Sequence, residues 1–441
     1  MIKVITYGTY DLLHYGHVKL LERAKALGDY LIVGVTSDDF DKERGKINVQ
    51  QSLMERIEGV RSTGLADEII VEEYEGQKID DIKRLSVDIF TVGSDWKGHF
   101  DYLKEYCKVI YLPRTEGISS SELRTEGRKT RIGLTGESSV LRKYYNECSY
   151  VNGMDVESIY TENNATREEY KGLAADSYDA LLDKVDSVYI VANPRKHYQY
   201  IKRALEEGKH VLCESPITLS ENQTKELFDL ASSKNLVLME ALKTAYATAY
   251  SRLLLLLKGG KIGKVLSVDS TCTSLKNVDS TNIGNEWNSI CAWGPTAMLP
   301  IFNILGTDYS EVQLTSLYLD KNQKFDSFTK ADFQYSNAVA SFKVGKGVKS
   351  EGELIVTGTL GYAYVPAPWW KTDYFEIRYE NPSDNKRYFY QLDGEGIRYE
   401  IVAFLKSIES KKLLSCIDEN VSEAISRVIQ KYYDGEVNEL K

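Results

Sequence analysis

Cysteine, proline and histidine are scarce in this chain of 441 residues, which has six, eight and five of them. The six cysteines are scattered and form neither a Cys-x-x-Cys pair nor a cluster with histidine. This pattern argues against a zinc site and a disulfide framework, and it is typical of a reducing compartment. Since the first residues, MIKVITYG, have the pattern of a strand and not of a secretory signal, we expect a cytoplasmic protein.

Long apolar runs and an excess of positive charge are lacking as well. The longest leucine run, at 253–257, is far too short to span a bilayer, so we expect no membrane insertion. The formal net charge of −10 gives no broad attraction to nucleic acid, which we exclude as a partner. Anions can still bind where basic side chains or helix N-termini cluster locally.

The order of the predicted elements indicates an α/β protein of several domains. The first third alternates strands, such as IKVITY and YLIVGV, with helices, including segments at 77–85 and near 99–106. This predicts a parallel, doubly wound sheet and a Rossmann-like domain over 1–128, ended by the polar stretch SSSELRTEGRKT. The alternation then restarts and predicts a second Rossmann-like domain over 129–245. Alternating strands and two final helices predict an α+β open-sheet domain over 246–441.

Two of the five histidines, His14 and His17, lie three residues apart in the segment GTYDLLHYGH, directly after the first predicted strand. Positions i and i+3 share a helix face, so both imidazoles point the same way at a helix N-terminus, where anions are attracted. Gly8 and Gly16 would let a ligand approach the backbone. The other histidines and the cysteines offer no spacing for further metal ligands, which favours a grip on phosphate. A purely structural helix start is the alternative.

A second segment, RTEGISSSELR at 114–124, also follows a predicted strand. It can be a serine-capped helix start without a function. It can also be an arginine, three hydroxyls and free backbone N–H groups that bind an oligophosphate. Two such helix starts in one sheet favour the second interpretation.

Together, GTYDLLHYGH and RTEGISSS resemble the HxGH and RTxGISTT signatures of the cytidylyltransferase family, particularly the type that acts on glycerol 3-phosphate. The resemblance runs from residue 1 to about residue 126 and includes LLERAKALGDYL, SDD and GSDWKGHFDYLK. It implies transfer of CMP from CTP to glycerol 3-phosphate, which gives CDP-glycerol and pyrophosphate for teichoic acid or capsule synthesis. Mg²⁺ would accompany CTP, and catalysis would work by positioning and charge neutralisation without a covalent intermediate.

The same resemblance implies site residues, and the catalytic ones would be His14, His17, Lys46 and Arg114. The histidines would steady the α-phosphate and the leaving group, and the lysine would reach over the triphosphate. The arginine and the threonine after it would recognise cytosine and ribose. The implied substrate-binding residues are Gly8, Thr9, Tyr10, Asp11, Gly16, Arg44, Arg56, Tyr74, Asp95, Trp96, Thr115, Ile118, Ser119 and Ser120.

Within that set, the two serines would hold the β- and γ-phosphates. Asp11 would lie near the metal and Asp95 near the acceptor, while Arg56 and Tyr74 would contact the acceptor phosphate. The family has a second basic residue after this arginine, which falls near Gly64 in this chain. The acceptor can therefore be glycerol phosphate or another small polyol phosphate.

The segment RIGLTGESSVL stands where a dinucleotide-binding fold would carry G-x-G-x-x-G. Gly136 matches the first glycine, but Ser138 and Leu141 replace the other two, so a structural turn explains the segment at least as well. Further on, VYIVANPRKHYQYIKRALEEGKHVLCESPITLS resembles the Gfo/Idh/MocA oxidoreductases, and the resemblance covers about 130–435. It implies these candidate cofactor-binding residues: Gly136, Ser138, Asn193, Pro194, His197 and Glu214.

The catalytic pattern of that oxidoreductase family is incomplete here. Ser215 replaces its lysine, and only Gly294 remains of its D-x-G-x-Y-x-x-x-H helix. Hydride transfer to a carbonyl needs a proton donor, for which Lys243, Tyr246 and Tyr250 stay open as replacements. We therefore expect a redox-silent binding or oligomerisation module, with NAD(P) left open and a homodimer as the simplest assembly. The alternative is a bifunctional enzyme whose second half is an active NAD(P)-dependent reductase that supplies a polyol phosphate.

Overall fold

The fold is described from a computed structural model of the chain. It describes residues 1–43, 49, 51–74, 76–113, 129–136, 141–151, 153–275, 283, 286–372, 374–389, 394–411 and 413–441. The chain forms two compact units, Met1–Arg128 and Lys129–Lys441. Among the described residues, no helix is long and apolar enough to cross a membrane.

The first unit is built on a five-stranded parallel sheet, as predicted. Its strands are β1 (Lys3–Gly8), β2 (Tyr30–Thr36), β3 (Glu68–Glu72), β4 (Ile89–Gly93) and β5 (Lys108–Leu112), in the order β3-β2-β1-β4-β5. The helices are α1 (Tyr15–Lys25), α2 (Asp38–Glu43), α3 (Leu53–Ser62) and α4 (Gln77–Leu85). The helix predicted near 99–106 is wrong, because this stretch forms only the short 3-10 turn Asp101–Glu105.

Both faces of this sheet are covered, so its central strands β1, β2 and β4 are buried along most of their length. Val4 and Val33 belong to one buried cluster, whereas Ile5, Ile32 and Phe90 belong to a second. Neighbouring residues of a strand point to opposite faces, so each strand contributes to both clusters. The carboxyl ends of the strands remain as the edge where a ligand can bind.

The second unit begins with another parallel sheet, in the order β10-β9-β8-β6-β7. Its strands are β6 (Thr130–Thr135), β7 (Met154–Tyr160), β8 (Ser187–Ile190), β9 (His210–Glu214) and β10 (Leu238–Ala241). Its helices are α5 (Leu141–Cys148), α6 (Asn164–Glu169), α7 (Tyr178–Leu182), α8 (Pro194–Glu206) and α9 (Glu221–Ser233). The predicted second Rossmann-like sheet is therefore confirmed.

A mixed nine-stranded sheet follows in the order β18-β17-β16-β15-β11-β14-β13-β12-β19. Its strands are β11 (Val265–Ser274), β12 (Glu311–Asp320), β13 (Phe325–Gln334), β14 (Val339–Lys346), β15 (Leu354–Gly358), β16 (Tyr362–Val365), β17 (Tyr374–Arg378), β18 (Lys386–Phe389) and β19 (Val437–Glu439). The helices are α10 (Thr248–Lys258), α11 (Ser289–Leu305), α12 (Ile397–Ser410) and α13 (Glu419–Asp434). Helix α11 packs on this sheet, and α13 packs against both α9 and α11, so the two sheets share one unit. A division into domains at 245/246 stays a prediction.

Candidate functional site

The candidate site of the first unit lies at the carboxyl ends of β1 and β4. The strand order reverses between these two strands, and open α/β sheets bind ligands at such a point. Strand β1 ends at Gly8, and the segment 9–14 leads from it into α1. The N-terminus of α1 therefore lies at the crevice and brings backbone N–H groups and a partial positive charge to it.

His14 and His17 stack on each other at this helix start. Their ring centroids are 4.0 Å apart with an interplanar angle of 26°. His14 is the N-cap of α1 and so lies one residue before the first turn of the helix, and its Nδ1 accepts a hydrogen bond of 3.0 Å from the backbone N–H of Gly16. Tyr10 meets His17 edge-on, with ring centroids 5.5 Å apart. Two imidazoles thus share one place beside the helix N-terminus, as the i, i+3 spacing predicts.

The loop before the histidines is held in an unusual backbone conformation. Tyr10 and Leu12 have φ angles of 55° and 47°, which non-glycine residues rarely adopt. Gln51 makes two hydrogen bonds to this loop. Its backbone N–H donates to Asp11 Oδ1 at 3.0 Å, and its Oε1 accepts from the backbone N–H of Leu12 at 2.7 Å. Tyr10 is buried, and this burial raises the pKa of its hydroxyl. Such over-determined strain is typical of functional loops.

Arg56 holds this loop from beneath. Its side chain is fully buried, and its Nη1 donates to the carbonyl oxygens of Thr9 at 2.7 Å and Thr36 at 2.8 Å. Its guanidinium also pairs with the carboxylates of Asp38 and Asp41. The guanidinium thus already has several partners within the first unit, and the predicted contact of Arg56 with an acceptor phosphate stays a prediction.

The sequence did not predict several residues that hold the loop at 9–14 and Arg56 in place. Asp41 accepts from the hydroxyl of Thr9 at 2.8 Å, and Gln51 accepts from Leu12 across 39 positions of the chain. Asp38 belongs to the acidic SDD stretch that the resemblance included, which was the available signal. Asp41 and Gln51 have no such signal, because their partners are distant in sequence.

Other predicted residues of the first unit lie at the same edge of the sheet. Trp96 is in the 3-10 turn Ser94–Trp96, which also contains Asp95 and directly follows β4. Tyr74 follows β3, is 49% exposed and donates from its hydroxyl to Asp80 at 2.8 Å. A Cβ on Gly8 would approach the Tyr10 ring to 3.1 Å, so this glycine permits close packing of the loop on β1.

The remaining predicted residues lie outside the described residues, and their roles stay predictions: Arg44, Lys46, Arg114, Thr115, Ile118, Ser119, Ser120 and Ser138.

The described residues contain no group of three or more histidine, cysteine, aspartate or glutamate side chains placed to hold a metal ion. Asp11 is 1% exposed, and its Oδ1 already accepts from the backbone N–H of Gln51, so it could offer a metal ion at most one carboxylate oxygen. This donor set fits Mg²⁺ only where a bound triphosphate contributes most of the oxygen ligands, as is usual for this ion.

In the second unit, the turn after β6 keeps its glycine for a structural reason. Gly136 has a φ of 150°, and a Cβ there would collide with the carbonyl oxygen of Val191. Leu141, at the predicted third glycine position, is 1% exposed and begins α5. The described part of this turn is thus accounted for by packing and does not require a dinucleotide.

The predicted cofactor-binding residues after β8 are also tied into the fold. Asn193 caps α8 by accepting from the backbone N–H of Arg195, and Pro194 is the first residue of that helix. His197 is fully buried, and its Nδ1 and Nε2 each lie 2.8 Å from a carbonyl oxygen, those of Pro216 and Ala192. His197 therefore joins the ends of β8 and β9.

Glu214, at the end of β9, belongs to a network of acids and phenols. Tyr144 donates to Glu214, and Tyr189 donates to the buried Glu400 at 2.7 Å. Burial raises the pKa of Glu214 to about 7 and raises that of Glu400 well above its usual value. Burial therefore disfavours the ionised form of both carboxyl groups.

The position of the missing oxidoreductase lysine is occupied by a short hydrogen-bonded side chain. Ser215 donates its hydroxyl to the buried Glu240, so no ammonium group extends from there. Strand β10 pairs with β9 in parallel, with Ala241 opposite Glu214, which brings Lys243 to the adjacent strand end. Tyr250 accepts from Asn303 at 3.2 Å and is buried.

The first unit is similar to known cytidylyltransferases. Residues 5–126 match the family model described as cytidylyltransferase-like. The glycerol-3-phosphate cytidylyltransferase of Bacillus spizizenii is 53% identical over 126 residues, which are 29% of this chain and 97% of that relative. Its counterpart in Staphylococcus aureus is 48% identical over 130 residues, 29% of this chain and 95% of the relative. The predicted resemblance of the first unit is confirmed.

The second unit is similar to oxidoreductases. Residues 131–242 match the model of the oxidoreductase family with an NAD-binding Rossmann fold, which confirms the second resemblance. The dTDP-3,4-didehydro-2,6-dideoxy-alpha-D-glucose 3-reductase of Streptomyces violaceoruber is 35% identical over 153 residues, 33% of this chain and 45% of that relative. The solved structure of KijD10, a 3-ketoreductase from Actinomadura kijaniata in complex with NADP and TDP-benzene, has a TM-score of 0.62 at 18% identity. The superposition covers 71% of this chain and 99% of the KijD10 chain.

Proposed function

Since the chain belongs, through its first unit, to the glycerol-3-phosphate cytidylyltransferase family, we propose that this unit transfers CMP from CTP to glycerol 3-phosphate. The products would be CDP-glycerol and pyrophosphate. The observation that carries the proposal is the stacked pair of His14 and His17 at the N-terminus of α1, in the crevice between β1 and β4. That place collects positive partial charge where a triphosphate must be held.

The proposed reaction is a single displacement at phosphorus. An oxygen of the acceptor phosphate forms a bond to the α-phosphorus of CTP while the bond from that phosphorus to the bridging oxygen breaks. The electron pair leaves with pyrophosphate, so negative charge grows on the leaving group. His14 and His17 would bind the phosphate oxygens there, and the α1 N-terminus would add to the stabilisation.

The other roles stay part of the proposal. Lys46 would neutralise the triphosphate and Arg114 would hold the cytidine, as the resemblance implies. Mg²⁺ would be held mainly by phosphate oxygens, with Asp11 as its protein ligand, and would neutralise charge on the leaving group. We place the reaction in the cytoplasm and assign its product to the synthesis of a cell-surface polymer, teichoic acid or capsule.

Acceptor choice can be tested directly with the full chain. We expect CTP and glycerol 3-phosphate to give CDP-glycerol with one pyrophosphate released per product, measured by anion-exchange chromatography and a coupled pyrophosphate assay. Larger polyol phosphates serve as competing acceptors, and ATP serves as the control nucleotide. A higher kcat/KM for a larger polyol phosphate would overturn the acceptor, and no product with any of them would overturn the transferase.

For the second unit we propose a binding and oligomerisation module without redox chemistry, in a homodimer. Two features support it: Ser215 stands where the family has lysine and is bonded to Glu240, and Leu141 packs where the third glycine would be. A fold retained without its proton donor can still bind ligands or build an interface. The assembly itself can be read from the mass of the full chain in light scattering.

An active NAD(P)-dependent reductase is the second candidate, because the fold of this unit matches that of a 3-ketoreductase solved with NADP. Titration with NADH and NADPH, monitored by energy transfer from tryptophan to the nicotinamide, separates the two. We expect no saturable signal up to millimolar cofactor, because the turn after β6 lacks two glycines. Micromolar binding would favour the reductase, and keto-sugar phosphates and dihydroxyacetone phosphate would then be tested as substrates.

A further inference from the structure

Three lysines of the second unit converge on one carboxylate. Lys143 and Lys243 both pair with Oε2 of Glu395, the latter at 2.6 Å, and Lys371 lies 3.7 Å from its Oε1. The lysines come from α5 and from the 3-10 turns Lys243–Tyr246 and Trp369–Lys371. We call this group the lysine cluster. Separate parts of the fold thus direct three ammonium groups at one point.

The lysine cluster carries more positive charge than Glu395 can neutralise. Burial and the neighbouring ammonium groups of Lys243 and Lys371 lower the pKa of Lys143, although its bond to Glu395 opposes this. Partial burial disfavours ionisation of Glu395, but the bonds from Lys143 and Lys243 lower its pKa to about 2. Burial raises the pKa of the two other carboxyl groups that interact with Lys243, those of Glu214 and Glu400, which disfavours their negatively charged forms. Crowded like charges of this kind favour an anion with more than one negative charge.

The cluster also lies where a ligand of an α/β sheet is expected. Lys143 is in the first turn of α5, which follows the turn after β6, and Lys243 follows β10. Lys243 follows the end of β10, and Ser215 follows the end of the neighbouring strand β9. Ser215 is the position that a lysine occupies in the oxidoreductase family. The lysine cluster thus faces the carboxyl edge of the sheet, although its residues are not those of the family pattern.

Glu395, whose carboxylate lies between the three lysines, is positioned by an unusual backbone conformation. Glu395 has a φ of 52°, in the left-handed region that is unfavourable for a glutamate. The next residue, Gly396, has a φ of 91°, and a Cβ there would collide with the carbonyl oxygen of Lys243. This close packing sets the carboxylate of Glu395 against the ammonium groups.

We propose that Lys143, Lys243 and Lys371 bind the phosphate group of a phosphorylated ligand of the second unit, and that Glu395 occupies the phosphate position in its absence. Three lysine ammonium groups match a phosphomonoester, because its charge approaches −2 and its oxygens accept several hydrogen bonds. The inference rests on the proposal that this unit binds a ligand. It is independent of cytidylyl transfer in the first unit.

Site-resolved lysine labelling of the full chain tests this inference. The chain is acetylated briefly with an N-hydroxysuccinimide ester, with or without inorganic phosphate, and each lysine is quantified by mass spectrometry. We expect phosphate to slow the labelling of the three cluster lysines about tenfold, whereas chloride at equal ionic strength does not. Lys330, which is similarly exposed and pairs with Asp332, is the internal control. Equal protection by chloride, or equal protection of Lys330, would overturn the site.

Two variants sharpen the test. Glu395→Gln removes the competing carboxylate and should tighten phosphate binding about tenfold, whereas Glu436→Gln, which removes the ion-pair partner of the half-buried Lys431, should not. Lys371→Gln, at the most exposed lysine of the cluster, should weaken phosphate binding about tenfold with the fold intact. Unchanged binding in Lys371→Gln would contradict the proposal even if Glu395→Gln fails to fold.

The same labelling experiment, repeated with different phosphorylated compounds, shows which kind of ligand carries the bound phosphate group. Protection by glycerol 3-phosphate would identify a small phosphorylated metabolite, and protection by NADP⁺ alone would identify a dinucleotide phosphate. CTP turnover, measured on the same samples, should be unchanged in Lys371→Gln because that residue belongs to the second unit. Absence of CTP turnover in the unchanged chain, with phosphate protection intact, would count against the proposed function of the first unit and leave the lysine cluster unaffected.

Discussion

Replacing His17 by alanine is expected to lower kcat for pyrophosphate release from CTP and glycerol 3-phosphate by about 10²–10³-fold, which is the usual loss when one preorganised charge stabiliser is removed. The reason is the position of the ring, stacked on His14 beside the N-terminus of α1. Because this contribution is greatest when charge develops on the leaving group, kcat should fall more than KM for CTP rises.

His210→Asn is a suitable control for this substitution. His210 lies in the second unit, and its Nδ1 accepts from the backbone N–H of Val237 at 3.0 Å, a contact that an asparagine oxygen can replace. Circular dichroism should show that both variants are folded. Full turnover in His17→Ala would overturn the catalytic role of the histidine pair and leave the structural helix start as the explanation.

Replacing Arg56 by methionine is expected to destabilise the first unit by about 3–5 kcal/mol, the typical cost of removing one partner of a buried ion pair. The substitution would leave the carboxylate of Asp41 buried without its cation and the carbonyl oxygens of Thr9 and Thr36 without their donor. Hydrogen exchange should therefore accelerate in peptides that cover 9–14 and 36–43, but not in the second unit. Turnover should fall with the order of the loop.

Arg56→Lys separates this role from the one implied by the resemblance. Lysine keeps the charge but cannot reach three carbonyl oxygens and two carboxylates at once, so we expect faster exchange in the loop here too. If Arg56 instead contacts the acceptor phosphate, both variants should raise KM for glycerol 3-phosphate and leave hydrogen exchange unchanged. That result would support the prediction from the sequence and contradict the structural role.

Local patterns were sufficient for the sheets and for the histidine pair. Alternating apolar strands and amphipathic helices predicted both parallel sheets, because residue spacing within one element decides which face is buried. The spacing of His14 and His17 likewise predicted that the two rings meet. The stretch near 99–106 failed as a helix because its aromatic side chains pack in tight turns: Phe100 lies 5.2 Å from Phe90 and 5.9 Å from Trp96 between ring centroids.

Contacts between distant parts of the chain were decided only by the tertiary structure. The sequence shows that Arg56 is charged but not whether its side chain faces a ligand or the interior. Its hydrogen bond to Thr9, 47 positions away, shows that it is buried. Lys243 and Glu395 meet across 152 positions. A sequence specifies which groups can ionise and which residues share an element, but their partners depend on how separate elements pack. The sequence therefore determined the two families and the histidine pair, and the packing decided which partners surround the buried arginine and which lysines meet in the lysine cluster.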